Sequence, residues 1–374
     1  MIIKKPPMGW NTWNTFMGSI NEQMVKESAD AFVSEGLRDA GYQYVVVDDC
    51  WSEQNRDPVT DRLVPSHEKF PNGMKALSDY VHSLGLKFGM YSCIGVRTCA
   101  GYPGSFDREF LDAETFASWG VDYLKYDGCY FPDTTDQENM YHRMGVALEN
   151  CGRDIVYAVC NGGEADVWSW IRSTGANLFR STGDIMDNFR SYYDIAMSQK
   201  DKFCYSAPNC YNDIDMLTVG IYGNGKIGKL GCTDSEYRQQ FVLWCMYNAP
   251  LMLGCDIRSM SAATKALVTN RELIAIDQDD AARPPIWFRH RWNDDVRWAF
   301  KHLSNGYALA LYNFSDNDTK ISFLFDSVGI TVASRLKARL TDIFTGECVG
   351  EFRDYFAADV PRHDVKLYRF ELVK

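Results

Sequence analysis

The order of apolar and polar positions divides this chain into two unequal parts. From the N-terminus to about residue 280, short apolar runs alternate with stretches of helical period. Glu22–Ala40 carries a helical pattern ending at Gly41, and Tyr44–Val47 follows as a strand. Lys75–Leu84 predicts a helix stopped by Gly85, with Lys87–Tyr91 as the next strand. Asp112–Trp119 repeats the pattern before Gly120, and Val121–Tyr126 is the strand after it. Ile155–Val159 and Leu178–Phe179 extend the series, and Leu251–Leu253 closes it. So many strand–helix units predict a parallel sheet, and favour a closed (β/α)8 TIM barrel over an open doubly wound sheet. The period changes after Asp277-Gln278-Asp279. Ala281–Pro285 reads as a linker, and beyond it Val296–Lys301, Tyr307–Tyr312, Ile321–Phe325 and Val365–Leu372 alternate as strands, separated by turns such as Ser304-Asn305-Gly306. The expected architecture is a barrel over residues 1–282 followed by a C-terminal antiparallel β-sandwich over residues 283–374.

Composition narrows the chemistry. The 374 residues carry a net charge of −11, which argues against nucleic acid or an anionic membrane surface as partner. Purely aliphatic runs such as Val45-Val46-Val47 are only a few residues long, so no membrane-spanning helix is expected. Met1–Pro7 has two lysines but no apolar segment of the kind a signal peptide needs. A complete chain would therefore be cytoplasmic, and one from which a leader has been removed would be secreted or lysosome-like. The 12 cysteines form no CxxC pair and the 6 histidines are scattered, so a zinc site has no support and neither metal nor organic cofactor is expected. Gly223-Asn224-Gly225-Lys226-Ile227-Gly228 formally matches GxGxxG, but no helix pattern opens there. Ile227 also stands where a P-loop needs Ser or Thr.

Acidic and polar residues recur where the strands end: Asp48-Asp49, Tyr91-Ser92-Cys93, Lys125-Tyr126-Asp127, Cys160-Asn161, Arg180 with Asp184, and Asn212-Asp213 with Asp215. In a barrel these ends converge on one rim, where active sites sit. An aspartate after a strand is as often the N-cap of the next helix, yet capping is a poor explanation for all of these together. Two carboxylates in a pocket walled by aromatics are the equipment of glycoside hydrolysis. Lys125, two residues before Asp127, faces the same side of its strand and would keep that carboxylate ionised. The bland alternative is a set of salt bridges on the rim.

The segments Pro7–Asn14 (Pro-Met-Gly-Trp-Asn-Thr-Trp-Asn), Val47-Asp48-Asp49-Cys50-Trp51 and Thr98–Ser105 closely resemble α-galactosidases. So do Trp119–Cys129, Arg180–Ile185 and Asn212–Met216. This family of retaining glycoside hydrolases also contains α-N-acetylgalactosaminidases, and the likeness runs in order through residues 6–280. It implies a catalytic barrel with a β-sandwich, Asp127 as nucleophile and Asp184 as general acid/base. It also implies that Asp48 and Asp49 hold the sugar's 4- and 6-hydroxyls, with Trp13 as apolar wall. Lys125 would meet the 3- and 4-hydroxyls, Arg180 and Asn161 the 2-position, and Tyr91 would line the pocket. Cys99 would line the substrate pocket and pair with Cys129, while Cys50 lacks its family partner near Met17-Gly18 and is expected to be a free thiol. Where the family usually has Cys-Glu-Trp, this chain has Cys160-Asn161-Gly162-Gly163-Glu164, small residues that would leave room for a larger 2-substituent. The expected activity is release of terminal α-galactose from a small carbohydrate substrate. The alternatives are an α-N-acetylgalactosaminidase, a β-L-arabinopyranosidase, or a non-catalytic sugar-binding protein. The oligomeric state stays open, a homodimer included. Two sequons, Asn313-Phe314-Ser315 and Asn317-Asp318-Thr319, would matter only in a secreted eukaryotic protein.

Overall fold

Buried on both faces, the strands of a parallel barrel are short and mostly apolar; eight short strands form it here, apolar runs in β2, β5 and β8 and polar residues at the ends of others. A computed structural model describes residues 3–374; Met1 and Ile2, at the head of the segment read for a leader, and the side chain of Val332 lie outside the described set. The first sheet contains β1 (Met8–Asn11), β2 (Tyr44–Val47), β3 (Lys87–Cys93), β4 (Tyr123–Asp127), β5 (Val156–Cys160), β6 (Leu178–Arg180), β7 (Tyr211–Asp213) and β8 (Leu251–Leu253). Every pairing in it is parallel, in the order β7-β6-β5-β4-β3-β2-β1-β8. A parallel bridge from Leu217 to Leu253 joins the segment after β7 to β8 and closes the (β/α)8 barrel.

Two sequence expectations change. β1 and β7 were not expected as strands, and the helical stretch Glu22–Ala40 is in fact two helices, Glu22–Ser34 and Leu37–Ala40. Gly36 separates them with φ +77°, a left-handed conformation that glycine adopts without steric cost. β5 is followed by two 3-10 turns, Glu164–Ser169 and Ile171–Thr174, rather than an α-helix.

The C-terminal part holds β9 (Ile286–Arg289), β10 (Val296–His302), β11 (Tyr307–Asn313), β12 (Thr319–Leu324), β13 (Lys337–Asp342), β14 (Cys348–Phe352), β15 (Tyr355–Val360) and β16 (Asp364–Val373). A six-stranded antiparallel sheet, β14-β13-β16-β11-β10-β9, faces the pair β12-β15 across a core that includes Phe300, Leu309, Phe323, Phe356 and Phe370. Asn313 is fully buried, and its amide donates to Asn317, Val360 and Pro361 carbonyls, so the first sequon is a structural residue and not a glycan acceptor.

The helix Asp234–Tyr247 lies between barrel and sandwich and is buried on nearly every side. Gln239 donates to the carbonyls of Asn313 and Asp364, and Arg238 pairs with the Asp364 carboxylate. Lys301 of β10 is completely buried, and its ammonium donates to the carbonyls of Cys245 and Met246 and to Asn248 Oδ1 at 3.3, 2.7 and 2.6 Å. It thereby satisfies the open C-terminal end of that helix from the neighbouring domain. Among the described residues no helix is long and apolar enough to cross a membrane.

Lys301→Met keeps the volume but strands those three acceptors. It is expected to destabilise the protein by about 2 kcal/mol, measured by urea unfolding followed by tryptophan fluorescence; an unchanged midpoint would show that the contact adds nothing.

Candidate active site

None of the strand-end aspartates caps a helix. The side-chain caps are Asn21, Asp136, Asn188, Thr233, Asp256, Ser261 and Asn270. Asp48, Asp49, Asp127, Asp184 and Asp215 are left to line a cavity of about 310 Å³ at the C-terminal mouth of the barrel; Asp213 lies outside its wall. Asp48 and Asp49 enter it from β2, Tyr91 and Cys99 from β3 and its loop, Lys125 and Asp127 from β4, and Arg180 and Asp184 from β6 and its loop. Trp13 comes from the segment after β1.

Neighbours hold each polar group in place. Asp48 accepts from Asn11 Nδ2 at 2.6 Å and from Lys125 Nζ at 2.9 Å. Asp49 accepts from the backbone N–H groups of Cys50 and Ala100 at 2.7 and 2.9 Å. Asp127 accepts from Gly128 N at 2.8 Å on one oxygen and from the Tyr91 hydroxyl at 3.1 Å on the other. Burial pushes the Asp127 carboxyl above its ordinary range, while Lys125 and the Gly128 N–H pull the other way. Burial likewise raises Tyr91, with the Asp127 charge adding to it, so the phenol stays protonated and donates. Burial disfavours the Lys125 ammonium, yet the surrounding Asp48, Cys160 and Asp127 raise it well above its usual value.

Arg180 organises the opposite wall. Its Nη2 reaches Asp184 Oδ1 at 3.0 Å and Asp215 Oδ2 at 2.5 Å. Asp184 is at the mouth, its side chain 90% exposed, so solvent and a departing group reach it freely. Asp215 sits at φ +81°, a strained conformation for a non-glycine residue. It is held there by its N–H bond to Asp213 Oδ1, while its carboxylate takes the N–H groups of Ile185 and Met216.

Nine of the ten residues expected at the site come together. The exception is Asn161, which is not part of the cavity wall. Its amide donates to the Glu164 carbonyl at 3.0 Å and to Gln137, and its oxygen accepts from Gly163 N. A tight loop in which Ala165 and Asp166 both have φ +50° uses up its hydrogen-bonding capacity. Asn14, Met17, Ile185, Met186, Asp215, Met216, Lys226 and Ile227 complete the lining, and none of them was expected there as a binding residue. Met216 and Asp215 were visible within the Asn212–Met216 motif without a role. Lys226 and Ile227 lay in the stretch set aside as a nucleotide-binding match.

Cys99 and Cys129 form a disulfide, with Cα atoms 5.3 Å apart, that ties the β3 loop to the residues after Asp127. The Tyr91 hydroxyl lies 3.2 Å from Cys99 Sγ. Cys50 is a buried free thiol that burial raises to about 11, and its sulfur faces Gly18, where no cysteine is available to pair with it.

A barrel mouth holding a half-buried carboxylate, an exposed carboxylate and an indole wall has the equipment of a glycoside hydrolase. The family profile described as alpha galactosidase A matches residues 5–279, and that of the alpha galactosidase C-terminal beta sandwich domain matches residues 293–370. The chain is 42% identical over 364 residues to an alpha-galactosidase of Cyamopsis tetragonoloba, covering 97% of this chain and 85% of that one. It is equally similar, at 42% over 364 residues, to an alpha-galactosidase of Coffea arabica, covering 97% and 93% of the two chains. The crystal structure of alpha-galactosidase I from Mortierella vinacea matches with a TM-score of 0.91 at 32% identity, over 98% of this chain and 97% of that one. The chain belongs to the alpha-galactosidase family.

Because burial outweighs Lys125 at Asp127, the ionised carboxylate costs native stability. Below about pH 4 both native and unfolded states hold the proton and the cost vanishes; above it the unfolded state ionises first, so the cost grows with pH. Asp127→Asn is therefore expected to melt about 2 °C higher than the parent at pH 7 and at the same temperature near pH 3.5. A lower melting temperature at pH 7, read by calorimetry, would mean that the attraction to Lys125 dominates.

Proposed function

We propose that this chain is a retaining exo-α-galactosidase that releases terminal α-linked D-galactose by double displacement. The observation that carries this is the pairing, in one cavity, of a half-buried carboxylate held by two donors with an exposed carboxylate on an arginine. In the first step an Asp127 oxygen bonds to the anomeric carbon as the glycosidic C–O bond breaks, and the leaving oxygen takes the Asp184 proton. In the second, Asp184 takes a proton from water, the water oxygen bonds to the anomeric carbon, and the bond to Asp127 breaks. Two inversions return the α-configuration. The role requires the two carboxyl groups to stand about 5–5.5 Å apart across the bound sugar.

Binding selectivity follows from acceptors that cannot move. Asp48 and Asp49 are each fixed by at least two donors, and their remaining lone pairs select a sugar whose 4-hydroxyl is axial and reaches them. A sugar that leaves such buried acceptors unpaired loses about 1–3 kcal/mol for each. Lys125 serves the neighbouring hydroxyls, Arg180 the 2-position, and Trp13 the apolar face. β5 contributes no side chain to the cavity, so Asn161 acts on the 2-position only through the shape of its loop. The catalytic unit is assigned to residues 1–282 and the sandwich to residues 283–374.

The test is a side-by-side assay of p-nitrophenyl α-galactoside, α-N-acetylgalactosaminide and β-L-arabinopyranoside. The galactoside is expected to lead in kcat/KM by about tenfold or more. An acetylgalactosaminide turned over as fast would show that the loop after β5 does not exclude a 2-acetamido group; no turnover of any of the three would reject the reading.

A further inference from the structure

A second cavity, of about 270 Å³, opens where the sandwich meets the barrel, and it shares no lining residue with the barrel mouth. The sandwich contributes Phe344, from the turn between β13 and β14. The barrel contributes Tyr222 from the loop after β7, and Asp234 and Arg238 from the helix Asp234–Tyr247. Ala263 and Ala266 of the helix Ala262–Val268 form the opposite side, with Asn270 just beyond. The polar groups here are each half committed. The Tyr222 hydroxyl donates to Asp234 Oδ1 at 2.6 Å, and among the described residues the other Asp234 oxygen has no bond. Arg238 gives Nε and Nη2 to Asp364 and Ser235, which leaves Nη1, and its guanidinium carbon lies 5.5 Å from the centre of the Phe344 ring. Asn270 uses Oδ1 on the N–H groups of Glu272 and Leu273, which leaves its NH2 group.

One carboxylate and one guanidinium line this cavity, so its charge balances and a neutral occupant suits it. Two aromatic rings, one acceptor and two sets of donors match a pyranose, which has apolar ring faces and a rim of hydroxyls. The volume agrees, since the barrel mouth is of similar size, about 310 Å³. The cavity also backs onto the loop 219–231. Tyr222 sits at φ +51°, and its N–H donates to the Tyr237 hydroxyl at 2.6 Å. That hydroxyl donates in turn to Asp187 at 2.8 Å, and the other Asp187 oxygen accepts from Gly223 N at 2.8 Å. The same loop carries Lys226 and Ile227 into the catalytic cavity. We propose that the cavity between barrel and sandwich is a second carbohydrate site, holding one neutral pyranose between Tyr222 and Phe344, and that its occupant braces the 219–231 loop. The proposal does not depend on the roles of Asp127 and Asp184.

The test is a calorimetric titration with galactose and, separately, with glucose. Ala263→Trp, at an exposed helix position, fills the cavity, and Ala266→Phe fills it from the next turn as a second variant. Each is used once its melting curve matches that of the parent. The parent is expected to bind one equivalent more of at least one of the two sugars than either variant. Saturation with that sugar is expected to slow hydrogen exchange of the 219–223 amides about threefold or more in the parent and to leave it unchanged in the variants. Equal stoichiometry in parent and variants for both sugars would overturn the site. An extra equivalent with exchange at 219–223 unchanged would overturn the bracing. An extra equivalent lost in the variants, with no galactose bound at the barrel mouth, would support this site and reject the galactosidase reading.

Discussion

The structure depends on how negative charge is balanced at the barrel mouth. Convergence of the strand ends brings Asp48, Asp49, Asp127, Asp213 and Asp215 close together, and burying unpaired carboxylates would cost far more than a domain can spare. Two cations are interleaved among them. Lys125 is bonded to Asp48 and acts on Asp127, and Arg180 bridges Asp184 and Asp215. Each cation comes from a strand that also ends in, or leads to, a carboxylate, so backbone register fixes the charge pattern. Even so, the burial penalty at Asp127, Asp49 and Asp213 is not fully met. A carboxylate whose pKa burial raises is also less stabilised than it would be in water, which suits an attacking group.

Around this charge arrangement the rest of the fold acts as a brace. The Cys99–Cys129 disulfide and the Tyr91 hydroxyl hold the Asp127 side, while strained Asp215 and buried Asp187 hold the Asp184 side. The helix Asp234–Tyr247 carries that bracing outward: Trp244 donates to the Asp215 carbonyl, Tyr237 to Asp187, and the opposite face packs on the sandwich. The sandwich therefore supports one wall of the site without lining it.

Most of this was legible in the sequence because parallel strands buried on both faces read as unbroken apolar runs, and because carboxylates at their ends are conspicuous. Met8-Gly9-Trp10-Asn11 failed as a strand signal because only two of its four residues are large and apolar. The stretch Glu22–Ala40 kept its helical period across Gly36, and only the φ of that glycine reveals the break. β14 (Cys-Val-Gly-Glu-Phe) has no clear alternation and meets β13 at a bulge, which blurs the period of two. Asn161 was misread for a different reason. Sequence position put it at a strand end, but its side-chain direction is decided by a loop whose own backbone groups needed partners. Asp187 carries no motif, and its importance exists only once residues 223–231 have folded against it.

The central claim is that Asp127 is the group that bonds to the sugar. A 2-deoxy-2-fluoro galactosyl donor with a good leaving group slows the second step and accumulates the covalent intermediate, which peptide mapping by mass spectrometry then locates. The account predicts stoichiometric inactivation with the label on the peptide containing Asp127, at that residue. A label on Asp184, or steady turnover of the donor with no labelled peptide, would contradict it.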